Sequence, residues 1–532
     1  MPYITVALKG TTIGTVTDAT GHYFLKNLPE GNFVLEISSV GYKTISRNVT
    51  LKKGKTLEEN FEIEEDAIAL DGVVVSANRS ETTRRLAPTL VNVVDLKLFE
   101  TTNSSTLSQG LNFQPGVRVE TNCQNCGFQQ VRINGLDGPY TQILIDSRPV
   151  FSALSGVYGL EQIPASMIER VEVMRGGGSA LFGSSAIAGT INIITKEPLR
   201  NSGRLSHTIT SIGGSSSFDN NTSLNASLVT DDHRAGLYIF GQNRHRSGYD
   251  YDGDGFTELP KLKNQTVGFR SYLKTSTYSK LTFEYHHMQE FRRGGDMLNR
   301  PPHEAHIAEQ LQHSIDGGSL KYDYFSPDEK NRLSVFASAA NTDRDSYYGP
   351  GNDPLKAYGK TTDLTAMGGA QYVHSFDKLL FMPSDLTAGL EYNRDRLKDN
   401  MWGYDRHTDQ TVNIYSAFLQ NEWKNKHWGI LIGGRLDKHN MVDDIIFSPR
   451  ANLRFNPTDN INLRLSYSSG FRAPQAFDED MHIENVGGTV AMIERAKDLK
   501  EEKSQSFSMS ADMYHRFGAF QTNLLVEGFY TR

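Results

Sequence analysis

Residues 163–196 read I-P-A-S-M-I-E-R-V-E-V-M-R-G-G-G-S-A-L-F-G-S-S-A-I-A-G-T-I-N-I-I-T-K. The stretch opens on a short strand, Arg170-Val-Glu-Val-Met174, and closes on an apolar one, Thr190 to Thr195. Between them, Gly176 to Gly178 let the backbone turn tightly and take positive φ where a Cβ would clash. Taken plainly, this is a βαβ-like connection in a globular domain. A phosphate loop is excluded, because no Gly-Lys-Ser/Thr follows the glycines.

The chain has 532 residues, more than one ordinary domain. Its mean hydropathy is -0.46 and no run of about eighteen apolar residues occurs, so no transmembrane helix is expected. A transmembrane β-barrel stays open, because it spreads its apolar surface over alternate residues. The 27 Phe and 23 Tyr can supply the aromatic girdles of such a barrel. A net charge of -7 without a basic cluster excludes a nucleic-acid partner. Two cysteines, Cys123 and Cys126, do not make a disulfide scaffold. Residues 1–10 lack a charged segment followed by an apolar one, and Met1-Pro-Tyr-Ile-Thr-Val6 reads as a strand, so further chain is expected ahead of residue 1.

The 163–196 string closely resembles the end of the plug domain of TonB-dependent outer-membrane receptors. Gln114-Pro-Gly-Val-Arg-Val119, Gln130-Val-Arg-Ile-Asn-Gly-Leu136 and Gln142-Ile-Leu-Ile-Asp-Ser-Arg-Pro-Val150 resemble the successive plug motifs before it, after a helix at Ser105 to Leu111. Asn134 departs from the Arg that many members have there, and Ser147 from the usual Gly. The resemblance implies a plug over 78–200. Upstream, K-G-T-T-I-G-T-V-T-D-A-T-G-H-Y-F-L-K-N-L-P-E-G (9–31) with Val40-Gly-Tyr42 resembles the carboxypeptidase-regulatory-like domain. That implies a transthyretin-like β-sandwich over 1–66, lacking its first strand, with strands at Ile4–Leu8, Tyr23–Leu25, Phe33–Ile37 and Thr56–Ile63. It carries no zinc-ligand spacing such as H-x-x-E, so it reads as a spacer or docking module.

The segment 67–77 between these units is a linker with β propensity. Asp71, Gly72, Val73, Val74, Val75, Ser76 and Ala77 resemble a TonB box, the stretch captured edge-to-edge by the periplasmic energy transducer. An unpaired β-prone strand suits capture by strand addition.

From 201 to 532 apolar and polar residues alternate. In Ile461-Asn-Leu-Arg-Leu-Ser-Tyr-Ser468, Ile461, Leu463, Leu465 and Tyr467 share one face. Leu281 to His286 and Ser506 to Ala511 repeat the pattern, the signature of a lipid-facing barrel. Short connections at Thr230–Arg234, Thr275–Lys280, Pro327–Lys330, Lys424–His427 and Pro457–Asn460 alternate with long polar ones near 245–265, 291–311, 345–361, 399–410 and 470–502. Roughly fifteen strands follow. The family's barrel has about twenty-two, so more strands are expected beyond Arg532. Gly470-Phe-Arg-Ala-Pro-Gln-Ala-Phe477 resembles another family motif.

Cys123-Gln-Asn-Cys126 falls in a plug loop which, by the resemblance, faces the ligand cavity. One pair cannot make a closed four-sulfur site. A local disulfide is the plain reading, and contact with a soft metal or ligand the alternative. Asp250-Tyr-Asp-Gly-Asp-Gly255 with Glu258 matches the first half of a calcium loop, but the twelfth position is Lys261 where a bidentate Glu is needed. A structural calcium is one reading and an ordinary acidic outer loop the other, and no cofactor is required. His286, His303 and His306, with His287 and His313, gather around one outer loop. Alternation sends His286 and His287 to opposite faces, whereas His303 and His306 can share a helical turn. The plain reading is a His-rich polar loop, and a haem or metal-chelate cargo would meet it.

No catalytic triad, nucleotide-binding or catalytic-metal constellation appears, so no enzymatic activity is expected. The resemblance implies a mostly β protein of the Gram-negative outer membrane, a partial antiparallel barrel enclosing an α+β plug. It implies active import of a metal chelate, a ferric siderophore first, with cobalamin, haem and copper behind. Its partners would be the TonB transducer with its inner-membrane motor proteins, the chelate and outer-membrane lipid. A TonB-dependent glycan importer and a passive porin-like or adhesion barrel are the rival readings.

Overall fold

The alternation after residue 201 folds into one fifteen-stranded antiparallel sheet, from Ser202–Ser211 at one edge to Phe520–Thr531 at the other. The computed structural model describes residues 1–532 except 2–3, 19, 27, 40–41, 65–71, 124, 150–154, 351–356, 478–480, 487–488, 492–495, 497 and 519. The fifteen strands match the expected number. Leu463 and Leu465 stand exposed on the outer face while Asn462 and Arg464 between them are buried. The same holds for Phe283 against Thr282 and Met509 against Ser510. Apolar groups therefore face lipid and polar groups face the lumen.

Connections at 230–234, 277–278, 326–330, 425–427 and 459–460 are short, as expected, and those at 247–260, 296–306 and 473–501 are long. The expectation near 399–410 is corrected. Met382–Met401 and Arg406–Lys424 are joined by four residues, with a 3-10 turn at Trp402–Tyr404 and Asp405 at φ 50. Arg406 pairs with Asp399 across this turn at 2.8 Å, which carries the ladder to its end. Strands here reach 22 residues, and about 9–11 suffice to cross a bilayer, so the wall stands well clear of the hydrocarbon at the long-loop end.

The plug sits against the inner wall. Ile168–Arg175 is central in its sheet, antiparallel to both Val91–Asp95 and Gly189–Thr195, and Thr141–Ile145 joins the latter in parallel. The 163–196 stretch is therefore not a βαβ crossover. Arg175 lies directly opposite Gly189, and a single helical turn, Ser179–Phe182, spans the link. A Cβ on Gly177 would lie 2.6 Å from Ser468 Oγ of the wall, so the glycine lets the plug touch the barrel. Leu107, Leu111, Ile133, Val171, Val173, Ile191 and Ile193 form the plug core, which Tyr238 and Phe240 of the wall complete. Asn134, at φ 54, and Ser147, at φ 66, take left-handed turn positions, where a glycine would carry no Cβ penalty.

Buried and half-buried charges fix the plug in place. Glu161 meets Arg244, Arg246 and Arg292 at 3.0, 2.7 and 2.9 Å. Asp146 meets Arg270 at 2.5 Å, and Arg175 meets Glu527 at 2.8 Å. Arg79 pairs with Glu391, which Arg435 also reaches at 2.7 Å.

The N-terminal unit is a four-stranded antiparallel sheet in the order Gly14–Val16, Thr5–Leu8, Gly31–Ser38, Ile45–Leu51. The expected strands at Tyr23–Leu25 and Thr56–Ile63 are not strands. Tyr23, Leu25, Phe61 and Ile63 pack on the core without joining the ladder. The sheet's fourth strand is Ile45–Leu51 instead, whose largely exposed polar residues hid it in the sequence. This unit meets the short-turn end of the barrel: Thr12 N donates to Thr277 O at 2.8 Å, and Thr15 Oγ1 lies 3.1 Å from His233 Nε2.

Candidate functional site

The segment ahead of the plug is not a free strand. Asp71 lies outside the described residues. Gly72 O accepts from Arg84 N, and Val73 and Val74 pair with Thr83 and Thr82. Val75 N and Ser76 N donate to Glu172 Oε2 at 2.9 Å each, and Ser76 Oγ donates to the same oxygen at 2.7 Å. Asn192 Nδ2 donates to Ser76 Oγ at 2.9 Å and to Ser147 Oγ at 3.0 Å. Ala77 O accepts from Arg450 of the wall at 2.9 Å. The expectation of an unpaired box is thus corrected. Val74, Ser76 and Ala77 are fully buried, lashed to the plug by the two polar residues that interrupt its apolar strands. Glu172 and Asn192 were visible in the sequence as polar residues inside apolar strands, but nothing there named their partner.

At the long-loop end of the barrel, Cys123 and Cys126 are not joined by the expected disulfide. They meet two residues that the sequence did not single out, Glu309 on strand Ile307–Phe325 and His482 in the 473–501 connection. Cys123 Sγ lies 3.2 Å from Glu309 Oε2, Cys126 Sγ 3.5 Å from His482 Nε2, and His482 Nε2 3.4 Å from Glu309 Oε2. The His482 ring is stacked on Phe128 at 5.7 Å and meets Tyr348 edge-on at 5.3 Å. The hydrogen bond with Cys126, aided by His482, brings the Cys123 thiol down to about 7 against its burial. Burial opposes charge on His482, but its bonds to Cys123 and Glu309 outweigh that and push the ring up to about 10.

Among the other candidates, Asp250, Asp252 and Asp254 also converge, while their oxygens accept the amides of Gly253, Gly255, Asp254 and Phe256, and Glu258 turns to Tyr251 N. His286, His303 and His306 do not come together. His286 packs over Gly317 within the wall, His303 bonds Tyr358 at 2.9 Å, and exposed His306 bonds Asp296 at 2.5 Å. The helical turn expected to join the last two ends at Glu304.

A cavity of ≈ 180 Å³ opens between plug and wall, lined among others by Gln130, Gln142, Phe182, Arg435 and Gln475. No helix among the described residues is long and apolar enough to cross a membrane. A lipid-facing β-wall with short turns at one end, tall loops at the other and a globular plug inside defines a plugged outer-membrane receptor.

The chain belongs to the TonB-dependent receptor family. It matches the TonB-dependent Receptor Plug Domain over residues 83–190 and the TonB dependent receptor-like, beta-barrel over 190–532, with a CarboxypepD_reg-like domain over 1–75. It is an outer-membrane β-barrel. It is 25% identical over 424 residues to the vitamin B12 transporter BtuB of Vibrio vulnificus (strain CMCP6), covering 77% of this chain and 64% of that protein. A BtuB from strain YJ016 is 29% identical over 237 residues, 39% of each chain. The chain thus spans less than two thirds of the length of these curated relatives. Among solved structures, the siderophore receptor PirA from Acinetobacter baumannii superimposes with TM-score 0.70 at 19% identity, covering 84% of this chain and 71% of that one. PirA from Pseudomonas aeruginosa gives 0.65 at 18% identity, covering 82% and 73%. At such identities these two similarities establish the fold.

Proposed function

We propose that the chain is the working core of a TonB-dependent importer of a metal chelate, a ferric siderophore in class, with cobalamin as the second reading because the similar curated proteins are named vitamin B12 transporters. The observation that carries the proposal is the bond set between Ser76, Val75 and Glu172. A pull on the box reaches the central strand of the plug sheet through a buried carboxylate. Capture by strand addition needs those amides free, so the lash must first release. The plug occupies the lumen, which argues against a passive channel, and buried ion pairs mean that moving it takes work. A cavity of ≈ 180 Å³ is smaller than the roughly 300–1,000 Å³ of small-molecule sites, so the chelate rests above it, against the outer loops and the plug apex.

The test is uptake of labelled ferric siderophores and cobalamin by cells carrying the full-length receptor, beside Val74→Pro. Proline cannot donate to an added strand. One chelate class enters in the parent, and in the variant it binds the cell surface without entering. Equal uptake in both, or uptake of no metal chelate, contradicts the proposal.

A further inference from the structure

Four side chains that are distant in sequence share one small volume at the plug apex. Cys123 and Cys126 come from the plug, Glu309 from the barrel wall and His482 from the 473–501 connection. One ligand atom from each lies within 4.8 Å of every other. Three separations, 3.2, 3.4 and 3.5 Å, link all four residues. A tetrahedral Zn²⁺ with bonds of about 2.0–2.3 Å sets its ligand atoms about 3.3–3.8 Å apart, close to these three separations, and the other pairs lie within 4.8 Å. The Cys126 amide points at Cys123 Sγ, 3.4 Å away, and so orients the first sulfur. Phe128 and Tyr348 hold the imidazole, and Cys126 lies in an apolar cluster with Leu311, Met401 and Ile483.

We propose that Cys123, Cys126, Glu309 and His482 form a binding site for a thiophilic divalent cation of the Zn²⁺ class. The two thiols and the imidazole select against Ca²⁺ and Mg²⁺, which take oxygen ligands. The carboxylate is a hard ligand that suits Zn²⁺ better than Cu(I). On binding, both thiols and the His482 ring nitrogen that takes the ion give up their protons to solvent, and the ion joins plug, wall and outer loop at one point. The inference stands apart from the import reading, since the four ligands meet whether or not a chelate is transported.

The test uses the purified protein in detergent, reduced and kept anaerobic, titrated with Co²⁺ and then Zn²⁺. The expected result is equimolar Co²⁺ binding, with sulfur-to-cobalt charge transfer in the near ultraviolet, displaced by an equivalent of Zn²⁺. Cys126→Ser and His482→Ala each weaken binding by at least about tenfold, while His306→Ala leaves it unchanged. Heat-modifiable gel migration reports that each variant barrel is folded. Absence of the charge-transfer band in the folded parent overturns the proposal. So does a band that survives in the Cys123→Ser/Cys126→Ser double variant, or uptake of Cu(I) with Co²⁺ and Zn²⁺ refused. A Cys123–Cys126 disulfide in protein extracted from the outer membrane overturns it as well.

Discussion

Ser76 gives both its main-chain N–H and its hydroxyl to one oxygen of Glu172, at 2.9 and 2.7 Å, in a fully buried setting. This contact joins the segment a periplasmic partner would grip to the strand around which the plug is built. Hydrogen bonds to a charged group are worth about 1.5–3 kcal/mol each. Glu172→Ala should therefore lower the opening free energy of 73–79 by about 2 kcal/mol or more, which is about thirtyfold faster amide exchange. Hydrogen–deuterium exchange read by mass spectrometry checks this; unchanged protection of Val75 and Ser76 would count against the lash.

Glu161 serves three arginines of the wall. Removing the carboxylate leaves Arg244, Arg246 and Arg292 buried together without it. Glu161→Ala should destabilise plug docking by about 3–5 kcal/mol. Differential scanning calorimetry in detergent should show an early transition for the plug, with the barrel transition little moved.

Plug docking should also depend on pH through Asp146. Burial raises its pKa, but Arg270 and the hydrogen bond from Thr195 prevail and bring it from 3.8 to about 2. A depressed carboxylate stabilises the folded state fully above its unfolded pKa, and that contribution fades as pH falls through the folded value. Asp146's share of the plug transition should therefore be level above pH 4 and fade between 3.8 and about 2. In Asp146→Asn that decline should be shallower, as followed by thermal melts across this range.

The glycine run supports a steric prediction. Gly177→Ala brings a methyl to 2.6 Å from Ser468 Oγ and should cost about 1–3 kcal/mol. Ser468→Gly in the same chain should restore much of the loss. Melting temperatures of the two single variants and the double variant decide it.

The barrel was legible because lipid on one side and a polar lumen on the other force period two on every strand. The signal fails near 399–410, because Asn393-Arg-Asp-Arg-Leu-Lys-Asp-Asn400 leading into it is nearly all polar. That part of the wall stands beyond the membrane, so nothing demands an apolar outer face. In the N-terminal unit, Tyr23 and Phe61 carried the pattern of strands because they pack on the core, yet their backbones stay outside the ladder.

The site was less legible. Nearness in sequence grouped His286, His303 and His306, but the wall and the turn at Pro302–Glu304 send them to separate partners. Cys123 and Cys126 stood out as a pair, whereas Glu309 and His482 reach them only through the placing of a barrel strand and a long connection. No local periodicity encodes that meeting.

The most direct test of the central claim compares chelate uptake through the full-length receptor in cells with and without the TonB transducer. The account predicts that surface binding is the same in both and that uptake occurs only where the transducer is present. Equal uptake in the two strains would contradict it.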